Sequence, residues 1–196
     1  EISECLVGSE MCKETALILA DVTSPIVLRY NRFRCDRGWD IDLDDGSGNY
    51  HIYNNLCLNG GIKLREGFYR VVENNIIVNN SFHPHVWFKN SGDVFTRNIV
   101  MSSYRPIQVR HWGLEVDYNI FTDSTAYQKA RKQNTDAHSI VCTPAFLNPS
   151  RGDYRIDNHS DAVFRCGFRN FDMDRFGVVS PRLKALAKTP EFPKPI

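Results

Sequence analysis

The chain has 196 residues, 42% hydrophobic and 24% charged, with 24 basic against 23 acidic side chains. That is enough apolar residue for a packed core, and a net charge of +1 argues against nucleic acid or an anionic membrane as partner. Apolar runs stop at four or five residues, so no membrane span is expected.

Residues 1–24 hold no clear copy of any later segment and read as a lead-in or partial coil. A start at Glu1 rather than Met suggests a processed chain, or the C-terminal portion of a longer one whose first coils and sugar-binding residues precede it. From 25 to 126 the sequence repeats itself. Tyr30-Asn31-Arg32-Phe33 is an imperfect first copy of a segment that recurs at 51–58, 71–78, 94–101 and 115–122. Each full copy runs apolar, two polar, Asn, apolar, and Asn55, Asn75, Asn98 and Asn119 succeed one another at spacings of 20, 23 and 21. Asn has a mechanism at such a place: it tolerates the left-handed region, and its amide can bond the Asn one coil away.

A second repeat lies between these, at 41–44 (Ile-Asp-Leu-Asp), 62–65 (Ile-Lys-Leu-Arg), 86–89 (Val-Trp-Phe-Lys) and 107–110 (Ile-Gln-Val-Arg). Strict alternation means a strand with one face buried. No coil of about 21 residues buries its own apolar face, so coils must stack. The predicted fold is all-β: a right-handed parallel β-helix of about five coils with an irregular C-terminal cap. A β-sandwich of regularly spaced strands is the alternative. The period is lost from about Tyr127; 129–135 reads as a loop or short helix, and 127–196 as a final coil, loops and cap, with 182–186 in the capping strap. Cys5, Cys12, Cys35, Cys57, Cys142 and Cys166 form no C-x-x-C pair, which argues against a zinc knuckle and leaves room for three disulfides.

The alternate residues of the second repeat point outward in columns: Asp42, Lys63, Trp87, Gln108; Asp44, Arg65, Lys89, Arg110; and, just past the strands, Asp45, Glu66, Asn90, His111. Rungs about 4.8 Å apart bring these side chains together. A solvated face of compensating charges is the plain reading. Against it, Asp is disfavoured in strands, yet Asp40, Asp42, Asp44 and Asp45 crowd one.

Hydrolysis of a glycosidic bond needs two carboxyls, about 5–5.5 Å apart for retention and about 6.5–9.5 Å for inversion. Glu66 on one coil and Asp44, Asp42 or Asp45 on the previous one fit the shorter separation. Lys63 and Arg65 keep an Asp ionised, and burial under substrate raises Glu66 toward an acid's role. Trp39, Trp87 and Trp112 offer flat faces to sugar rings, with ordinary packing as the alternative. His85, Arg110 and His111 complete a substrate-binding set with Asp45, Lys63 and Arg65. A second reading uses Asp40, Asp42 and Asp44 as oxygen ligands for Ca²⁺ and Lys63 or Arg65 as base, giving a polysaccharide lyase. A third is a solenoid that only grips carbohydrate. Otherwise no metal or cofactor is expected: His83-Pro84-His85 lacks a third zinc ligand at a clear spacing.

The run 38–47 with 62–67 and 83–87 resembles bacterial parallel β-helix carbohydrate enzymes, and within them most resembles the β-helix β-xylosidase family of glycoside hydrolases. The segments 143–149 and 152–156 resemble, more loosely, the closing P-x-F-x-[ND]-P … G-D-Y segment of secreted β-helix proteins that process polysaccharides. The resemblance implies a retaining glycosidase, secreted or periplasmic, acting on polysaccharide or oligosaccharide. By position Glu66 takes the acid/base role, and the nucleophile falls on Asp44 or Asp42.

Overall fold

Alternating apolar residues become strands that stack coil on coil into three parallel sheets. The computed structural model describes residues 13–14, 24–157, 160–173, 176 and 180–186. Sheet A contains β1 (Lys13–Glu14), β4 (Ile41–Leu43), β7 (Ile62–Arg65) and β10 (Phe82–His85). Sheet B contains β2 (Ile26–Arg29), β5 (Tyr50–Tyr53), β8 (Arg70–Glu73), β11 (Val94–Thr96) and β13 (Glu115–Asp117). Sheet C contains β3 (Arg32–Phe33), β6 (Leu56–Cys57), β9 (Ile76–Ile77), β12 (Ile99–Val100), β14 (Ile120–Phe121) and β15 (Ile140–Val141). The chain visits A, B and C in turn, so the fold is a parallel β-solenoid. Six strands in sheet C make about six coils rather than five, because β15 returns to the ladder after the repeat is lost.

One side of each strand fills the interior: Ile41, Leu43, Ile62, Leu64 and Phe82 from sheet A meet Ile52, Val72 and Phe95 from B and Cys57, Ile77, Val100 and Phe121 from C. Phe82 and Phe95 stack at 3.9 Å between centroids. The other side of sheet C is apolar too. Leu56, Ile76, Ile99 and Ile120 pack against Tyr154, Ile156, Val163, Phe168 and Phe171 of the C-terminal segment, which straps this wall. That segment holds the antiparallel pair β16 (Phe146–Asn148) and β17 (Asp153–Ile156), with α2 (Asp161–Arg165) and α3 (Pro181–Leu186) after them. The helix expected near 129–135 is α1 (Ser124–Lys132), capped by Asp123, whose carboxylate accepts the N–H groups of Thr125 and Ala126. Ala126 and Ala130 bury α1 against the interior core.

The asparagines form a continuous internal ladder. Asn55, Asn75, Asn98 and Asn119 are fully buried. The Nδ2 of Asn31, Asn55, Asn75 and Asn98 donates to the Oδ1 of the next Asn at 3.0, 3.0, 3.0 and 3.3 Å. Each backbone N–H donates to that same oxygen at 2.9–3.1 Å. The stack ends where Asn119 Nδ2 reaches Asp136 Oδ1 at 2.9 Å. The ladder residues are not the left-handed ones, however. That conformation falls one position earlier, on Tyr30, Asn54, Asn74, Arg97 and Tyr118. The ladder Asn is selected for its amide and its predecessor carries the bend.

The second repeat is in a different register from the sequence expectation. The third copy in sheet A is Phe82–His85, aligned with Ile62–Arg65, and not 86–89. The fourth is fixed by the bridge between His85 and Ile107. Left-handed residues close each copy: Asp45, Glu66, Val86 and Gln108. Four unlike side chains at one bend show that the coil imposes it. Three disulfides are also ruled out: Cys35 is disulfide-bonded, but Cys57, Cys142 and Cys166 are free thiols.

Candidate functional site

The outward positions of sheet A are polar where those of sheet C are apolar. Register sets Lys63 between Asp42 and His83 in one column, and alternation sets Arg65 between Asp44 and His85 in the next. Lys63 is the hub. Its Nζ lies 2.9 Å from Asp42 Oδ1 and 2.8 Å from Asp44 Oδ2, and 4.2 Å from the ring centre of Trp39. The lysine and Asp42 are each only 5% exposed, so the charges survive burial by pairing. Burial works to raise the Asp44 pKa, but hydrogen bonds from Lys63 and the Asp45 N–H, with the charges of Lys63 and Arg65, leave it below the ordinary carboxylate value. Burial likewise works against protonated Lys63, yet Asp44 and Asp42 hold its pKa above the usual value.

Arg65 spans the rim. Its Nη1 donates to Asp44 Oδ1 at 3.1 Å and lies 3.9 Å from Asp45, while its Nη2 is 3.7 Å from Glu66 Oε1. The backbone beneath is pinned by a residue that the sequence pattern hides. Arg70, wholly buried, pairs with equally buried Asp93 through Nε at 2.9 Å and Nη2 at 2.6 Å. Its remaining Nη1 donates to the carbonyls of Arg65 (2.7 Å) and Glu66 (3.1 Å). The signal was a charged residue at an inward position, opposite Tyr50 one coil before, with an acid one coil later.

The histidines lie on β10, the strand after Lys63 and Arg65. Asn80 donates Nδ2 to Asn59 O and accepts the Ser81 N–H at Oδ1, which fixes its amide; the 2.8 Å contact of His83 Nε2 to that Oδ1 is therefore an N–H donation. Burial, with Arg105, His85 and Lys63 nearby, pushes the His83 pKa down to about 4. Burial and the charges of Lys63 and Arg65 also lower that of His85. Trp39 meets both rings edge-on at 6.0 and 6.1 Å.

The structure thus brings together Asp42, Asp44, Asp45, Lys63, Arg65, Glu66, His85 and Trp39 of the expected set. It separates Trp87, Arg110 and His111. Trp87 is turned into the core, donating Nε1 to Leu64 O at 2.9 Å and packing on Phe82, because the register places it past the strand. Arg110 and His111 sit exposed in the turn beyond Ile107. Trp112 packs against the core. In the turns beside Arg65 and Glu66, the sequence reading missed an exposed aromatic stack, Phe68 on Phe88 at 5.3 Å and 19°.

The expected Ca²⁺ ligands do not converge. Asp40 is fully buried and accepts N–H groups from Cys35, Asn59, Gly60 and Gly61 at 2.7–3.2 Å; burial still pushes its pKa up to about 7. Asp42 and Asp44 turn instead to Lys63. Among the described residues no group of three His, Cys, Asp or Glu side chains is placed to hold a metal ion, and no helix is long and apolar enough to cross a membrane.

No family model, curated protein or solved structure matches this chain. What remains is the chemistry of the face: a buried lysine held by two aspartates, a rim acid, imidazoles with lowered pKa values and flat aromatic surface.

Proposed function

We propose that this face cleaves glycosidic bonds, with Asp44 as nucleophile and Glu66 as acid/base, in a retaining, xylosidase-like reaction on a polysaccharide or oligosaccharide. The observation that carries the reading is the Arg65 guanidinium, which contacts the carboxyls of Asp44 at 3.1 Å and Glu66 at 3.7 Å. Acids from adjacent coils, about 4.8 Å apart by strand spacing, gather at one cation, close to the separation of about 5–5.5 Å that retention uses. Asp44, kept ionised by Lys63 and Arg65, attacks the anomeric carbon as Glu66 protonates the leaving oxygen. Glu66 then takes a proton from the water that releases the sugar. Asp42 holds Lys63, and the Phe68–Phe88 stack offers a sugar ring an apolar face. The disulfide at Cys35 supports a secreted or periplasmic setting.

The lyase reading has less support, because a lysine held protonated by two carboxylates is a poor base. One observation favours a non-catalytic carbohydrate binder: both Asp44 oxygens are engaged, Oδ1 by Arg65 and Oδ2 by Lys63. Incubation with xylo-oligosaccharides and mixed plant polysaccharide, with analysis of the products, separates the three. Glu66→Gln is expected to slow sugar release by about 10²–10⁴-fold with binding retained. Turnover that survives the change removes Glu66 from its role. An ultraviolet-absorbing product points to a lyase, and binding without release to the binder.

A further inference from the structure

The β4 and β7 rungs of sheet A balance their charge: Asp42 and Asp44 against Lys63 and Arg65. The next two do not. The Arg105 N–H donates to Phe82 O and the Ile107 N–H to Pro84 O, both at 3.0 Å, and Ile107 bridges His85. Strand alternation therefore sets Arg105 outward, opposite His83 and in the column of Asp42 and Lys63. There it is exposed, and its charge depresses the His83 pKa. Among the described residues it makes no ion pair with a carboxylate. In the neighbouring column His85 is only 7% exposed, and its Nε2 is buried without a hydrogen-bond partner.

An orphaned imidazole nitrogen costs free energy until a partner reaches it. A bound cation is the wrong partner, because Lys63, Arg65 and Arg105 surround the histidines. An oxyanion satisfies both groups: it accepts from the His85 N–H, and a pair of its oxygens matches the guanidinium fork of Arg105. Ile107, 52% exposed, gives the adjoining sugar an apolar floor. We propose that His85 and Arg105, with His83 between Lys63 and Arg105 in the column, form an anion subsite. It seats a carboxylate or sulfate of an acidic glycan one to two rungs, about 5–10 Å, from Lys63. The assignment rests on the carbohydrate reading of the same face and names its substrate class.

Titration calorimetry at low salt tests it, using an oligouronate, the same oligomer as its methyl ester, and a sulfated oligosaccharide with its desulfated form. Each is titrated into the intact chain and into Arg105→Ala. At least one acidic form should bind about tenfold tighter than its neutral counterpart, as one charge-assisted hydrogen bond predicts, and the arm that shows the preference identifies the anion. The preference should vanish in Arg105→Ala and weaken in His85→Ala. Equal affinity for acidic and neutral forms, or a preference that survives Arg105→Ala, overturns the subsite. Reducing ends are counted in parallel. Acid-selective binding without release refutes the glycosidase and leaves the subsite standing; release without acid preference does the reverse.

Discussion

The asparagine ladder and the outward face of sheet A are built from the same coils by opposite rules. In the ladder every rung carries the same residue, because an amide both donates and accepts and so needs only another amide beside it. On the outward face every rung differs: Asp42, Lys63, His83 and Arg105 succeed one another in a single column. The ladder can extend unchanged through each coil, whereas the face is a one-off set of charges that neutralise, depress or expose one another. In a repeat protein, then, a position that recurs carries the fold, and a position that breaks the repeat is where chemistry is to be sought.

The comparison can be broken by experiment. Lys63→Met takes the lysine from buried Asp42 and leaves Asp44 with Arg65, and a loss of about 3–5 kcal/mol is expected, read from the denaturant midpoint; a change under about 1 kcal/mol would show that Lys63 does not carry those charges. Asn75→Ala leaves the buried Asn55 N–H without its acceptor, takes one acceptor from Asn55 Nδ2 and removes the side-chain bond from residue 75 to Asn98. About 3–4 kcal/mol should be lost. Asn54→Gly, at the left-handed position beside the ladder, should move the same midpoint by less than about 1 kcal/mol. If the two changes cost alike, ladder and bend are not separate devices.

A further prediction concerns pH. His83 has a folded pKa of about 4, below its unfolded value of about 6.5. Between those values the unfolded chain binds more protons, so stability should fall as pH drops from about 6.5 to about 4, by at most about 3 kcal/mol. His83→Gln should flatten that part of the stability profile relative to the unaltered chain. Parallel profiles for the two would place the imidazole in water rather than under Trp39.

The ladder was legible because one uncommon residue returned at steps of 20, 23 and 21. The face was legible for two rungs and then slipped by four residues. The segment 86–89 alternates as convincingly as 82–85, and Pro84, with no N–H for the ladder, argues against the true strand. Pro84 is accommodated where sheet A narrows to the single bridge between His85 and Ile107. A better clue was the step length: Ile62 to Phe82 is 20 residues, the same as Asn55 to Asn75, whereas Ile62 to Val86 is 24. Arg70 escaped because alternation marks its position as interior, and an interior arginine is decipherable only once Asp93 is seen beside it.

The amide stack also has a direction. Every Asn donates its backbone N–H and one amide hydrogen toward the next coil, while the Nδ2 of Asn55, Asn75, Asn98 and Asn119 also donates back to a carbonyl of the coil before. The forward bonds of the last go to the Asp136 carboxylate and the Ser139 hydroxyl, whose own proton goes to Asp136. A carboxylate takes hydrogens and hands none on, so Asp136 works as a full stop. Growth by duplication is therefore asymmetric: a coil copied between Asn31 and Asn119 arrives in phase with both neighbours, while one appended beyond Asp136 finds no amide to read from.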